Sequence, residues 1–172
     1  MKSFLPVAAL AAVLCGQAGM AQAMGLTAAV GQTDDSTMTY RLGVQFDFER
    51  SWWETRVGRL TGYWDAGYTY WEGDETASNH SVSLSPVFVY EFAGERVRPF
   101  VELGIGIAAF SSTELEKNDL GSAFQFEDRL GAGLRFAGGH QVGVRAIHYS
   151  NAGLKKPNDG AESFSLYYQL PL

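Results

Sequence analysis

The sequence predicts an all-β fold, an eight-stranded antiparallel transmembrane β-barrel whose interior is filled by side chains. Apolar and polar residues alternate with a period of two along most of the chain, which indicates strands that separate two environments. Beyond the N-terminal segment, no run reaches the roughly 18 consecutive apolar residues that a membrane-spanning helix needs. Aromatic residues make up 13% of the chain and it contains 20 glycines, a mixture that suits a lipid-facing surface around a narrow interior.

The first 23 residues have the pattern of a secretory signal peptide. Lys2 supplies a positive charge, the run from Phe4 to Cys15 is apolar, and Ala21-Gln22-Ala23 matches an A-x-A cleavage site. We therefore expect a signal peptide at 1–23 and a barrel domain at 24–172. Cleavage removes the single cysteine of the sequence, so the exported protein is expected to use neither a disulfide nor a thiol nucleophile.

Composition excludes several classes of protein. The net charge of −6 argues against a nucleic-acid partner, because such proteins usually carry a basic face. An aromatic fraction of 13% excludes a disordered chain of low hydrophobicity, and one cysteine cannot build a disulfide scaffold. The sequence has no cluster of metal-ligand type, so we expect a mechanism without a metal or another cofactor.

Four alternating segments come first along the chain. In the second of them, apolar residues occupy the even positions and polar residues the odd ones, as Leu42 and Arg41 illustrate. The fourth departs from alternation at Val87 and Val89, which are apolar at positions of the polar face. In chain order the segments are Leu26–Val30, Tyr40–Phe48, Gly62–Tyr70 and Ser81–Phe92.

Four more segments complete the predicted barrel. In the fifth, Leu103 and Ile105 alternate with Glu102, Gly104 and Gly106. The sixth alternates phenylalanine and leucine with glycine and charged residues, and the last two form a hairpin. In chain order they are Phe100–Ala108, Ala123–Phe136, Gln141–Ser150 and Glu162–Leu170.

A soluble barrel and a membrane barrel both alternate in this way, and three features favour the membrane. The apolar faces carry aromatic residues near the strand ends, as interfacial girdles do. Segments of about ten residues fit a tilted crossing of the bilayer. The opposite face mixes glycine with charges of both signs, which suits a narrow lumen closed by ion pairs. The inward charges are Arg41, Asp47, Asp65, Glu102, Glu127, Arg129, Arg135 and Arg145.

The connections predict which end of the barrel faces the cell exterior. Outer-membrane barrels have short periplasmic turns and longer external loops. Two of the expected internal turns, Ala93–Val97 and Ala137–Gly139, are short, whereas Arg50–Arg59 is long and its Trp52-Trp53 pair is expected to anchor it at the membrane interface. The expected external loops are Gln32–Thr37, Gly73–Ser78, Ser112–Gly121 and Asn151–Ala161.

One hairpin places polar residues on the lipid-facing side. His148 and Ser150 are two positions apart and therefore share a face at about 6.5–7 Å spacing, and Glu162 has the same parity on the next strand. A serine, a histidine and a carboxylate in contact form a hydrolytic triad. Asn151 and Gly153 are candidate oxyanion donors, through an amide side chain and a backbone N–H. The alternative is a non-enzymatic barrel for adhesion or membrane integrity, in which these are ordinary residues of the headgroup zone.

The stretch His148-Tyr149-Ser150-Asn151-Ala152-Gly153, with Glu162 downstream, resembles the lipid A 3-O-deacylase family of Gram-negative outer membranes. The resemblance implies that Ser150 is the nucleophile, His148 the general base and Glu162 the orienting acid. It also implies that Asn151 and Gly153 help to form the oxyanion hole.

The same resemblance implies a substrate and a location. The substrate would be the lipid A part of lipopolysaccharide, reached from the outer leaflet of the outer membrane. A phospholipase or palmitoyl transferase barrel is a further alternative, and a homodimer is left open. Lys155 and Lys156 either contact lipid A phosphates or are ordinary loop lysines.

Overall fold

The structure is a computed structural model, and it describes residues 24–172. The predicted signal peptide at 1–23 lies outside the described residues. Eight antiparallel strands close into a barrel, and a two-stranded hairpin extends from one of its loops, so the predicted fold class is confirmed. The strands are β1 (Met24–Thr33), β2 (Met38–Asp47), β3 (Gly58–Trp71), β4 (Asn79–Phe92), β5 (Val97–Phe110), β6 (Glu114–Leu115), β7 (Asn118–Asp119), β8 (Phe124–Phe136), β9 (Gln141–Ser150) and β10 (Ala161–Pro171).

Each barrel strand pairs with its neighbour in the sequence, apart from the hairpin β6–β7 between β5 and β8. β1 closes the barrel by pairing with β10, with Val30 opposite Leu166. Closure leaves no unpaired strand edge, which a bilayer would not tolerate because lipid cannot hydrogen-bond the backbone. Residues 24–172 include no helix long and apolar enough to cross a membrane.

The outer face of the barrel is an apolar coat. Leu42 and Ile105 are 65% and 63% exposed, values that would be unfavourable in water but are expected against lipid. The polar residues of the same strands point inward, as the period-two pattern predicts. Val87 and Val89 do lie in the interior, packed with Tyr63, Phe100 and Tyr167.

Ion pairs fill the middle of the barrel. Asp65 is fully buried and accepts hydrogen bonds from Arg41 and, at 2.8 Å, from Arg129. Arg129 also donates to Glu127 at 2.6 Å. These four charges sum to zero, so each buried charge has a partner of opposite sign, as a low-dielectric interior requires.

A second buried pair lies nearer to β5 and β9. Arg145 donates to Glu102 at 2.6 Å, and the Tyr63 hydroxyl donates to the same carboxylate at 2.6 Å. The guanidinium of Arg145 also lies 3.9 Å from the ring centre of Tyr167. The interior is therefore packed with side chains, as the sequence predicts for eight strands.

The two ends of the barrel differ in their connections. One end, here called the terminal end, carries Met24, Leu172 and the turns 48–57, 93–96 and 137–140. The other, here called the loop end, carries the loops 34–37, 72–78, 111–123 and 151–160. The predicted loop Ser112–Gly121 contains β6–β7. Its apolar residues cap the barrel in a cluster that includes Trp71, Phe110, Leu115, Leu120 and Tyr149.

Candidate functional site

The candidate site lies on the outer face of the barrel, where β9 and β10 approach the loop end. His148 and Glu162 are direct partners in the antiparallel register. Their side chains are 41% and 37% exposed, and His148 Nδ1 lies 2.6 Å from Glu162 Oε1. The hairpin thus brings together two of the three residues proposed for the triad.

The carboxylate determines how the imidazole is used. An ionised carboxylate only accepts hydrogen bonds, so a neutral His148 carries its proton on Nδ1 and leaves the lone pair of Nε2 free. The short contact also fixes the orientation of the ring. A histidine held in this way can act as a general base through Nε2.

Ser150 is the last residue of β9 and lies two positions after His148 on the same face. It is partly exposed and stands opposite Phe126 of β8. Among the described residues, no hydrogen bond joins its hydroxyl to His148. Catalytic hydrogen bonds are often long without substrate and shorten when it binds.

Asn151 is fully buried and holds the loop that follows β9. Its Nδ2 donates to the carbonyl oxygens of Leu120 and Lys155, both at 2.9 Å, and its backbone N–H donates to Asn158 Oδ1 at 2.8 Å. The side-chain amide of Asn151 is therefore engaged within the protein.

Gly153 differs from Asn151 because it is exposed. Ala152 and Gly153 both adopt positive φ angles, 52° and 77°. The turn is closed by the Leu154 N–H, which donates to the Asn151 carbonyl at 3.0 Å. Within residues 24–172, the N–H groups of Ala152 and Gly153 donate to no backbone or side-chain acceptor, so they are available to a ligand beside Ser150.

Two residues near the site escaped sequence reasoning. Asp128 of β8 is opposite His148 on the side away from Glu162, and it is exposed on the outer face. Its parity equals that of Phe126 and Leu130, so a strict reading of alternation would have detected it. Gly160 has a φ of 79°, and a Cβ there would lie 3.3 Å from His148 Cε1, a proximity that no sequence pattern indicates.

An apolar groove of about 610 Å³ runs along the barrel surface beside the site. Ala146, two residues before His148, gives the groove its depth because it is flanked in register by the larger Leu130 and Phe164. The groove is formed by residues of β5, β8, β9 and β10 on the outer face of the barrel. It can accommodate a hydrocarbon chain next to the imidazole.

Gly160→Ala is expected to lower the activity at this site. The new methyl group lies 3.1 Å from the Tyr149 carbonyl oxygen and 3.3 Å from His148 Cε1, at a positive φ angle, so the ring must shift or the loop must relax. Because a displacement of about 1 Å in a reacting group costs roughly 10²-fold in rate and the shift needed here is smaller, we expect kcat/KM to fall by up to about tenfold.

Gly138→Ala is the matched control for this prediction. Gly138 has a φ of 89°, and a Cβ there would have only His140 Cδ2 nearby, at 3.7 Å. The control carries the same backbone strain at the opposite end of the barrel. Equal kcat/KM values for the two variants would contradict the inference that Gly160 makes room for the imidazole.

Comparisons with known proteins identify the family of this chain. The family model described as lipid A 3-O-deacylase (PagL) matches residues 38–171. A Pseudomonas aeruginosa protein named lipid A deacylase PagL is 62% identical over 173 aligned positions, which cover all of both chains. A Bordetella bronchiseptica protein with the same name is 40% identical over 114 residues, or 64% of this chain and 62% of that one.

Solved structures with a similar barrel fold were also found. The crystal structure of the outer membrane enzyme PagL superposes with a TM-score of 0.83 at 64% identity, over 86% of this chain and 99% of that chain. A de novo designed transmembrane β-barrel is 13% identical with a TM-score of 0.51, which concerns the fold alone. The family match, the whole-chain relative and the shared barrel lead to one conclusion: this chain belongs to the lipid A 3-O-deacylase (PagL) family of outer-membrane hydrolases.

Proposed function

We propose that this protein hydrolyses the ester bond that joins a β-hydroxyacyl chain to the 3-position of lipid A, through a triad of Ser150, His148 and Glu162. The observation that carries the proposal is the contact of 2.6 Å between His148 Nδ1 and Glu162 Oε1 on the outer face of a membrane barrel. Ionisable side chains that face lipid cost desolvation energy and usually mark functional sites. The presence of this histidine–carboxylate pair on the outer face favours catalysis.

The reaction begins with Ser150. Its hydroxyl oxygen attacks the ester carbonyl carbon while His148 Nε2 takes the hydroxyl proton. The tetrahedral intermediate collapses, and the imidazolium returns the proton to the sugar oxygen as it leaves. Water then attacks the acyl-serine with the same base, and the products are a free β-hydroxy fatty acid and a lipid A with one chain fewer. Glu162 stabilises the imidazolium in both steps.

The oxyanion of each intermediate needs hydrogen-bond donors beside Ser150. The N–H of Gly153 is exposed and unengaged in the described part of the chain, which supports it as a donor. Asn151, whose amide holds the Leu120 and Lys155 carbonyls, supports the oxyanion hole by fixing the loop. In this scheme Asn151 is a positioning residue.

The substrate reaches the site by lateral diffusion in the outer leaflet. In the proposed orientation, the loop end of the barrel lies at the cell surface and the apolar groove lies along the acyl-chain region of the bilayer. The scissile chain then lies against Ala146 while its ester meets Ser150. Lys155 and Lys156 are exposed in the loop 151–160, at the level where lipid A phosphates would lie.

Mass spectrometry of lipid A tests the proposed function. Outer membranes that contain the protein are expected to yield lipid A that is lighter by one β-hydroxyacyl chain, together with the free acid. An unchanged lipid A mass would favour the non-enzymatic barrel. A mass increase by one acyl chain would indicate a palmitoyl transferase, and fatty acids from phospholipids alone would indicate a phospholipase.

A further inference from the structure

An aromatic pocket lies at the terminal end of the barrel, opposite to the candidate active site. It is open, measures about 480 Å³, and is lined mainly by Phe46, Phe48, Trp52, Trp64 and Phe88. The Phe48 ring centre lies 5.9 Å from that of Phe88 and 6.2 Å from that of Trp52. A pocket walled by aromatic rings on the outer surface of a membrane barrel is suited to a hydrocarbon chain.

The pocket is built by an ordered turn rather than a loose loop. The Phe48 N–H donates to the Gly62 carbonyl at 2.8 Å, and Trp52 exchanges two backbone hydrogen bonds with Leu60, at 2.7 and 2.8 Å. Gly62 leaves space for the Phe48 ring, since a Cβ there would lie 2.6 Å from Phe48 Cε2. The binding surface is thus preformed, which lowers the entropic cost of occupying it.

Trp53 follows Trp52 in the same turn. It is 75% exposed and has a φ of 49°, a conformation that is unfavourable for a bulky residue. Tryptophan prefers the level of the lipid headgroups, so an exposed tryptophan beside the pocket is consistent with a turn at that level.

Charges of both signs stand on the rim of this pocket. Glu49 and Arg50 are adjacent, exposed and part of the pocket lining. Other ion pairs at this end centre on Glu91, which is buried while its partners Arg59 and Arg98 are partly exposed. Asp47 also lines the pocket, so two carboxylates and one guanidinium stand beside its aromatic rings.

We propose that this turn binds a zwitterionic phospholipid that carries a primary ammonium group, in the leaflet opposite to lipid A. Arg50 pairs with the phosphate, Glu49 accepts hydrogen bonds from the ammonium, and one acyl chain enters the aromatic pocket. The ring of Trp52 adds a cation–π contact to the ammonium. Only the choice of leaflet rests on the proposed function, because the proposed function places the loop end of the barrel at the cell surface.

Native mass spectrometry of the purified protein in non-ionic detergent tests this inference. The probes are phosphatidylethanolamine, phosphatidylcholine and phosphatidylglycerol with identical acyl chains. The expected result is an affinity for phosphatidylethanolamine about tenfold higher than for the other two, since a quaternary ammonium cannot donate to Glu49 and a glycerol headgroup has no cation. Equal affinities for the three lipids would overturn the proposal.

Variants distinguish this pocket from general lipid binding. Glu49→Gln and Trp52→Ala are each expected to reduce phosphatidylethanolamine binding about tenfold. Glu95→Gln is the matched control, because Glu95 is an exposed acid in the turn 93–96 at the same end. Binding by Glu49→Gln equal to that of the control would overturn the proposal.

Two further measurements keep the outcome interpretable. The heat-induced shift in electrophoretic mobility verifies that each variant is folded. Arg50→Gln replaces any variant that does not fold. Lipid A hydrolysis by Glu49→Gln is expected to equal that of the unaltered protein. A protein that binds phosphatidylethanolamine but leaves lipid A intact would contradict the proposed function and not this inference.

Discussion

Ser150→Ala is expected to abolish release of β-hydroxy fatty acid from lipopolysaccharide while leaving a folded barrel. The variant removes only the attacking oxygen, and the His148–Glu162 contact of 2.6 Å does not depend on it. Loss of a triad nucleophile costs at least about 10³-fold in kcat. Quantifying the free fatty acid and the lipid A mass in parallel measures this loss.

Ser163→Ala is the matched control for Ser150→Ala. Ser163 belongs to β10 in the same hairpin but faces the lumen, where its Oγ lies 3.2 Å from Thr39 Oγ1, so its replacement is expected to preserve activity. A fluorophosphonate probe is expected to label the unaltered protein once, at Ser150, and to leave Ser150→Ala unlabelled. Full activity of Ser150→Ala would contradict the proposed mechanism.

The barrel could be predicted from sequence because its determinants are local. A strand between lipid and a polar lumen must alternate, and each residue reveals its face by polarity alone. The same rule singled out His148, Ser150 and Glu162, which violate the apolar parity. Val87 and Val89 are exceptions to the rule, because apolar residues are tolerated inside a barrel that is closed by packing.

The immediate surroundings of the site could not be predicted in this way. The amide of Asn151 bonds the carbonyl of Leu120, 31 residues away in the sequence, so its burial depends on how two loops fold together. Gly160 matters through the space beside His148, which depends on backbone conformation in a loop. Parity specifies the side of a strand, whereas these features depend on contacts between loops.

Breaking the buried ion-pair network is expected to lower the stability of the barrel more than breaking any single contact on the outer face. Asp65 is the shared partner of Arg41 and Arg129, and Glu127 is the other acid of the group. Removal of Asp65 leaves two buried arginines with one buried carboxylate. An uncompensated charge in the barrel interior destabilises the fold by more than the original ion pair stabilised it, because the remaining charge keeps its desolvation penalty.

Asp65→Ala is therefore expected to destabilise the barrel by roughly 3–5 kcal/mol, measured by urea unfolding in lipid vesicles. The double variant Asp65→Ala/Arg129→Met is expected to recover part of this loss, since it restores one positive charge to one negative charge in the group. Asp34→Ala, at an exposed loop position, is the control and is expected to change stability by less than about 0.5 kcal/mol. A double variant no more stable than Asp65→Ala would show that packing around Arg129, and not charge balance, limits the stability of the interior.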